Sequence, residues 1–268
     1  MRLRVSFILL FSFALALFSG LFVGLHFIAQ GVSFVEDSEN IANAGYLFLY
    51  ILFSTALLLV LLHYYKGKSL FLAAELLLEF SAIQILLSLF LDGTVAFVIA
   101  VVLVLLRLWK IELKQPLLFA SCVAVGALLG SSLDFIPAVV LSVLLAAYDY
   151  FAVFRSKHMV TLAKELGKRQ AAFAIEFKSA RKAGVKAANA GKGAESILLG
   201  TGDFVIPIML CVSVLKTSVF SAFATALGAL VGLSVLLYVM EKTKGYYPAL
   251  PPIVLFSALF YSASLLFA

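Results

Sequence analysis

The chain alternates between long apolar runs and short polar connections. Runs of about 17–25 residues, enough to cross a bilayer as helix, fall at Val5 to Ala29 and near 43–65, 69–91, 93–109, 116–133, 137–154, 196–215, 218–240 and 248–267. They are continuously apolar rather than alternating in ten-residue segments, which favours helices over a β-barrel. The pattern predicts an all-α polytopic membrane protein with nine transmembrane helices. It reads as one transmembrane domain over 1–268, with helices one to five in 1–134 and helices six to nine in 135–268. The first run follows Met1-Arg2-Leu3-Arg4, exceeds a signal-peptide core in length and lacks a clear A-x-A site after it, so it reads as a retained helix.

Composition agrees. The chain is 64% hydrophobic and 13% charged, with a mean hydropathy of +1.13, far from the polar surface a soluble domain needs. The net charge of +6 reads as topology rather than as a nucleic-acid footprint. With the amino terminus in the cytoplasm, nineteen of the 20 Lys and Arg lie on the cytoplasmic side and Lys216 alone lies outside. Glu36, Asp37, Glu39, Asp92 and Asp134 fall outside, and so does the carboxyl terminus. Cys122 and Cys211 sit inside apolar runs and belong to no metal-spacing motif. No metal, cofactor or nucleic-acid partner is expected; the bilayer is.

One connection is long, 155–195, and it carries ten Lys and Arg. Met159 to Val185 has spacings that permit an amphipathic helix, and Ala187 to Gly193 reads as flexible. A basic cytoplasmic loop lying against anionic headgroups accounts for it; a part in gating is the other reading. Gly191-Lys192-Gly193 lacks the upstream glycine and the strand of a phosphate loop.

The chemistry lies in two carboxylates placed where charge is costly. An ionised side chain in mid-bilayer costs about 2.5–3.5 kcal/mol on insertion scales and so marks function by default. Asp149 lies six residues before Arg155 in the sixth run, and Asp203 lies eight residues past Glu195 in the seventh. Counted as helix, these are depths of roughly 9 and 12 Å from the same side of the membrane. Two antiparallel spans thus bring both acids to nearly one level. Such a pair in a low-dielectric site shares one proton, with one carboxylate able to activate water and its neighbour able to protonate a carbonyl oxygen. Gly200 and Gly202 flank the second acid, fitting a close approach of backbone to substrate or small-residue helix packing. Pro248-Ala249-Leu250-Pro251-Pro252 disfavours regular helix at the start of the ninth run and leaves backbone groups in need of partners.

Tyr148-Asp149, Gly200-Thr201-Gly202-Asp203 and Pro248-Ala249-Leu250, in that order on spans six, seven and nine, resemble the presenilin and signal peptide peptidase family of GxGD intramembrane aspartyl proteases. The motifs cover roughly 137–268; the remainder matches by span count. The resemblance implies a catalytic pair, Asp149 and Asp203, within an active-site motif of Tyr148, Gly200, Thr201 and Gly202. It also implies a substrate-binding segment, Pro248, Ala249 and Leu250, and substrates that are single transmembrane helices. Thr201 stands where leucine is common in the family, which bears on subsite preference. The 155–195 loop has no strongly apolar segment for self-cleavage. A cytoplasmic amino terminus is presenilin-like, although Gly202-Asp203-Phe204-Val205-Ile206-Pro207 is close to the peptidase branch. The charge count favours a presenilin-like microbial homologue, and the short loops and compact length suggest an archaeal or bacterial plasma membrane. Homo-oligomerisation and accessory subunits stay open.

Other intramembrane proteases fit less well. No H-E-x-x-H is present, His26, His63 and His158 accompany no serine nucleophile motif, and the paired Cys-x-x-Cys of many prepilin peptidases is missing. A proton-coupled transporter or channel is the alternative from another class. It rests on Glu75 and Glu79, four residues apart on one face of the third span, with Gln84 deeper. No internal repeat supports a duplicated transporter fold.

Overall fold

A computed structural model describes residues 2–64, 69–156, 174–178, 196–243 and 247–266. Among the described residues there are nine α-helices. They are α1 (Arg2–Ala29), α2 (Ala42–Tyr64), α3 (Ser69–Ser88), α4 (Gly93–Trp109), α5 (Lys114–Ser132), α6 (Phe135–Phe151), α7 (Thr201–Leu215), α8 (Val219–Thr243) and α9 (Leu250–Ser264). Each falls on one predicted apolar run. Five segments are long and apolar enough to cross a membrane, whereas Ala42–Leu58, Gly93–Trp109, Thr201–Leu215 and Leu250–Ser264 are shorter. Lipid-facing and core-facing positions are both apolar, as membrane solvation requires.

The helices are arranged around α7. From Phe204 to Leu215, every α7 residue except Val205 is buried. α1, α5, α6, α8 and α9 all pack against it. Lipid tails are as apolar as leucine, so close backbone approach must do much of the work of association. A Cβ on Gly130 of α5 would lie 2.6 Å from the Met209 carbonyl oxygen, and one on Gly24 of α1 would lie 2.5 Å from Val212. On the other side, a Cβ on Gly232 of α8 would lie 2.6 Å from the Pro252 carbonyl oxygen, so α8 and α9 touch backbone to backbone. Phe13, Phe119 and Phe204 fill the space beside the start of α7, with ring centroids 5.5 Å and 6.4 Å from Phe204.

Two departures from the helical reading matter for the site. Ser196–Gly200 is strand rather than the first turns of a helix, and it pairs antiparallel with Ala174–Lys178, Ala174 opposite Gly200 and Lys178 opposite Ser196. These strands are β1 (Ala174–Lys178) and β2 (Ser196–Gly200). Part of the connection read as permitting an amphipathic helix is therefore extended; the rest of it, including Gly191-Lys192-Gly193 and His158, lies outside the described residues. The physical reason is mutual: each strand supplies the backbone partners that the other needs. Ile175 and Leu199 are buried and join the core that contains α1. At the far end of α6, Ala152–Ser156 continues as a turn of π-helix.

Candidate active site

Asp149 lies in the last turn of α6 and is 8% exposed. Asp203 lies in the first turn of α7, because β2 replaces the helix expected ahead of it. Its helical depth is therefore one turn rather than more than two. An acid in this position interacts favourably with the helix N-terminus. Its Oδ2 also accepts a hydrogen bond of 3.2 Å from the Gly200 N–H, one of the donors a helix start leaves unpaired. Pro207, four residues on, has no N–H to return to the Asp203 carbonyl.

Both carboxyls line one cavity of about 100 Å³, together with Leu9 of α1, Leu199 of β2, Leu233, Leu236, Leu237 and Met240 of α8, and Tyr247 and Ala249. Among the described residues no Lys, Arg or His forms an ion pair with either aspartate. Asp149 Oδ2 accepts from the Leu250 N–H at 3.4 Å. That bond answers the question raised by the three prolines. α9 begins at Leu250 with prolines in its first turn, where their missing N–H groups cost nothing, and the Leu250 N–H turns to Asp149 instead.

The other predicted site residues divide clearly. Ala249 lines the cavity, while Pro248 is buried beside it. Thr201 opens α7 and is partly buried. Gly202 is exposed, and a Cβ there would meet nothing within 4 Å, so helix packing does not explain it in this structure. At Gly200 a Cβ would lie 3.3 Å from Asp203 Oδ2. Tyr148 is partly buried and is not part of the cavity wall. An aromatic group of Tyr150, Phe154 and Tyr247 stands at this end of α6, with centroids 4.9 Å and 6.3 Å apart along the series. Sequence reasoning missed Leu9 and the four α8 residues, which no local signal marks. Leu199 and Tyr247 were within reach, since each adjoins a motif already identified.

A second acidic pair lies elsewhere. Glu75 and Glu79 of α3 are 0% and 2% exposed, and Arg107 of α4 is 5% exposed between them. Arg107 Nη2 is 3.0 Å from Glu75 Oε1 and its Nε is 3.1 Å from Glu79 Oε2; Lys114 Nζ of α5 is 3.0 Å from Glu75 Oε1. Arg107, counted from sequence with the connection that follows α4, is buried and is the hub of a charge network.

The sequence matches the family described as "Signal-peptide peptidase, presenilin aspartyl protease" over residues 7–261. Among solved structures the chain is similar to a presenilin family intramembrane aspartate protease in the P2 space group, at 26% identity and TM-score 0.66, covering 96% of this chain and 97% of that one. A presenilin family intramembrane aspartate protease in the C222 space group gives 24% identity and TM-score 0.67 over 97% of this chain and 99% of that one, and supports the fold. A search of curated proteins finds no match.

Proposed function

This chain belongs to the signal-peptide peptidase and presenilin aspartyl protease family, and from that premise we propose that Asp149 and Asp203 are its catalytic dyad. The enzyme is an aspartic endopeptidase of the intramembrane-cleaving kind. Its substrates are single transmembrane helices, reached from within the bilayer of the cell membrane. The observation that carries this reading is the shared cavity: two carboxyls, on helices from different parts of the chain, line one small space that no Lys, Arg or His lines among the described residues.

The chemistry follows from that placement. One carboxylate, ionised, takes a proton from a water molecule whose oxygen attacks the scissile carbonyl carbon. The other, protonated, gives its proton to the carbonyl oxygen, producing a neutral gem-diol. Collapse breaks the C–N bond: a diol proton returns to one carboxylate, and the proton first taken from water goes to the departing amine. The products are a carboxylic acid and an amine, and the dyad again holds one proton. Each aspartate is oriented by a backbone N–H on its Oδ2, from Leu250 for Asp149 and Gly200 for Asp203. The apolar wall of leucines around the pair excludes bulk water and strengthens both interactions.

A helical peptide bond is shielded by its own hydrogen bonds, so the substrate must be extended before it is cut. β2 is paired on one edge only among the described residues, and it ends three residues before Asp203. Together with the Tyr247-to-Leu250 segment it frames a slot where an extended strand would gain backbone partners. A bound-substrate structure showing the scissile segment still helical would remove that part of the reading.

The dyad itself is tested with purified protein in detergent and a generic single-span substrate. Asp149→Asn and Asp203→Asn are each expected to abolish cleavage while remaining folded. Cleavage at the wild-type rate by either variant overturns the assignment.

A further inference from the structure

At the end of the bundle opposite the dyad, Lys216 Nζ lies 2.7 Å from Asp134 Oδ1. Asp134 is the residue that caps the start of α6, and Lys216 caps the end of α7. Each charge therefore sits at the helix end whose dipole favours it. The Asp134 carboxylate makes no capping bond to its own helix, turning to Lys216 instead. In the predicted topology Lys216 is also the one cation of 20 outside the cytoplasmic side.

We propose that this ion pair is a positioning device that sets the register of α6 against α7, and through it the relative height of Asp149 and Asp203. This rests on the reading of those two aspartates as the dyad. The geometry is additive along two rods. Asp149 lies fifteen residues along α6 from Asp134, and Asp203 lies thirteen residues along α7 from Lys216. At 1.5 Å per residue these are about 22 and 20 Å, so a pin at one end delivers the carboxyls to within about 3 Å of the same level at the other. A slip of one residue would shift one acid by about 1.5 Å and rotate it by about 100° away from the cavity. The rest of the α6–α7 contact cannot prevent this well. It is built from Ala138, Leu141 and Leu145 against Ile206, Met209 and Leu210, an apolar surface whose attraction is non-directional. The ion pair is directional and joins the two helices directly. Asp134 is itself held, because its N–H donates to the Ser38 carbonyl at 3.0 Å.

The side chains of Lys216 and Asp134 are 22% and 32% exposed, and pairs this accessible contribute little to stability. The expected signature is therefore catalytic rather than structural. The test measures kcat and KM per folded enzyme, with thermal unfolding alongside, for wild type, Asp134→Asn, Lys216→Met, the double variant, Lys216→Arg and Asp203→Asn. The proposal expects each neutral single variant to lose about three- to tenfold in kcat with KM within about twofold, since only the reacting geometry is disturbed. The double variant should be no slower than the singles, because a shared interaction is lost only once, and Lys216→Arg should retain at least half the wild-type rate. Wild-type kcat in the singles, multiplicative losses in the double, or losses matched by a fall in folded protein overturn it. Wild-type cleavage by Asp203→Asn instead removes the premise, and the proposal with it.

Discussion

Two pairs of acids lie within the apolar body of this protein, and they are dealt with in opposite ways. Glu75 and Glu79 sit one turn apart on a single helix, and both are bound by Arg107, with Lys114 on Glu75 as well. Asp149 and Asp203 come from two helices separated by a long connection, share a cavity, and among the described residues are hydrogen-bonded by backbone N–H groups, from Leu250 and Gly200. Two acids with two cations form a neutral set that ties α3, α4 and α5 together. Two acids lining one cavity of about 100 Å³ with no cation bound to them among the described residues keep their proton chemistry available. Burial of acids, the feature both pairs share, does not by itself separate a brace from an active site; the partner does. The transport reading drew its support from the glutamates, and their ion pairs account for them as structure.

The sharpest way to break this contrast is to neutralise one acid in each pair. Asp149→Asn or Asp203→Asn should lower cleavage by about a thousandfold or more, within the range that proton-transfer groups supply, with thermal unfolding unchanged. Glu79→Gln should leave cleavage within about fivefold of wild type; equal losses at Glu79 and Asp149 would dissolve the distinction. Next in size is the brace. Arg107→Met leaves Glu79 without its cation and Glu75 with Lys114 alone, and should cost about 3–5 kcal/mol, seen as a large drop in unfolding temperature or yield. Replacing Glu75, Glu79 and Arg107 together by apolar residues should recover much of that loss, since no buried carboxylate is then left without a cation and Lys114, 16% exposed, can reach water. A third test concerns pH. Cleavage should follow a bell, failing in acid when both aspartates are protonated and in alkali when both are ionised. Arg107→Met protein that still folds should keep the same bell. The smallest effect expected is at Gly202→Ala. With nothing within 4 Å of the added methyl, stability should change by less than about 0.5 kcal/mol. Cleavage should fall several-fold if the substrate backbone passes there, and unchanged cleavage would free Gly202 from any part in binding.

The nine spans could be read directly, since a bilayer imposes length and continuous apolarity on every crossing segment. The aspartates could be read because charge in such a run is rare, and the motifs around them supplied their pairing. Ser196–Gly200 could not. Ser-Ile-Leu-Leu-Gly is as apolar as the helix it precedes, and its extended form depends on Ala174–Lys178, eighteen or more residues away. The partners of Arg107 were equally hidden: a charge one turn from a helix end could be counted for topology, but its ion pairs to α3 depend on how α3 and α4 pack. The prolines correctly announced an irregular start to α9, yet which group would use the freed Leu250 N–H required the position of α6. Leu9 and the α8 wall of the cavity carry no mark at all, since they differ from other leucines only in what the fold places opposite them.

The shortness of α7 and α9 has a further consequence. Each has 15 residues, about 22 Å of helix, against roughly 30 Å of hydrocarbon in an average bilayer. α7 is shielded by its neighbours, but Leu255 and Leu259 of α9 are 57% and 53% exposed, facing lipid directly. Hydrophobic mismatch on that face is relieved by thinning the adjacent leaflets or by tilt. A substrate helix arriving there would have its own ends pushed toward the headgroups, where its terminal hydrogen bonds can open to water. Turnover is therefore expected to depend on acyl-chain length, which cleavage in bilayers of graded thickness would reveal.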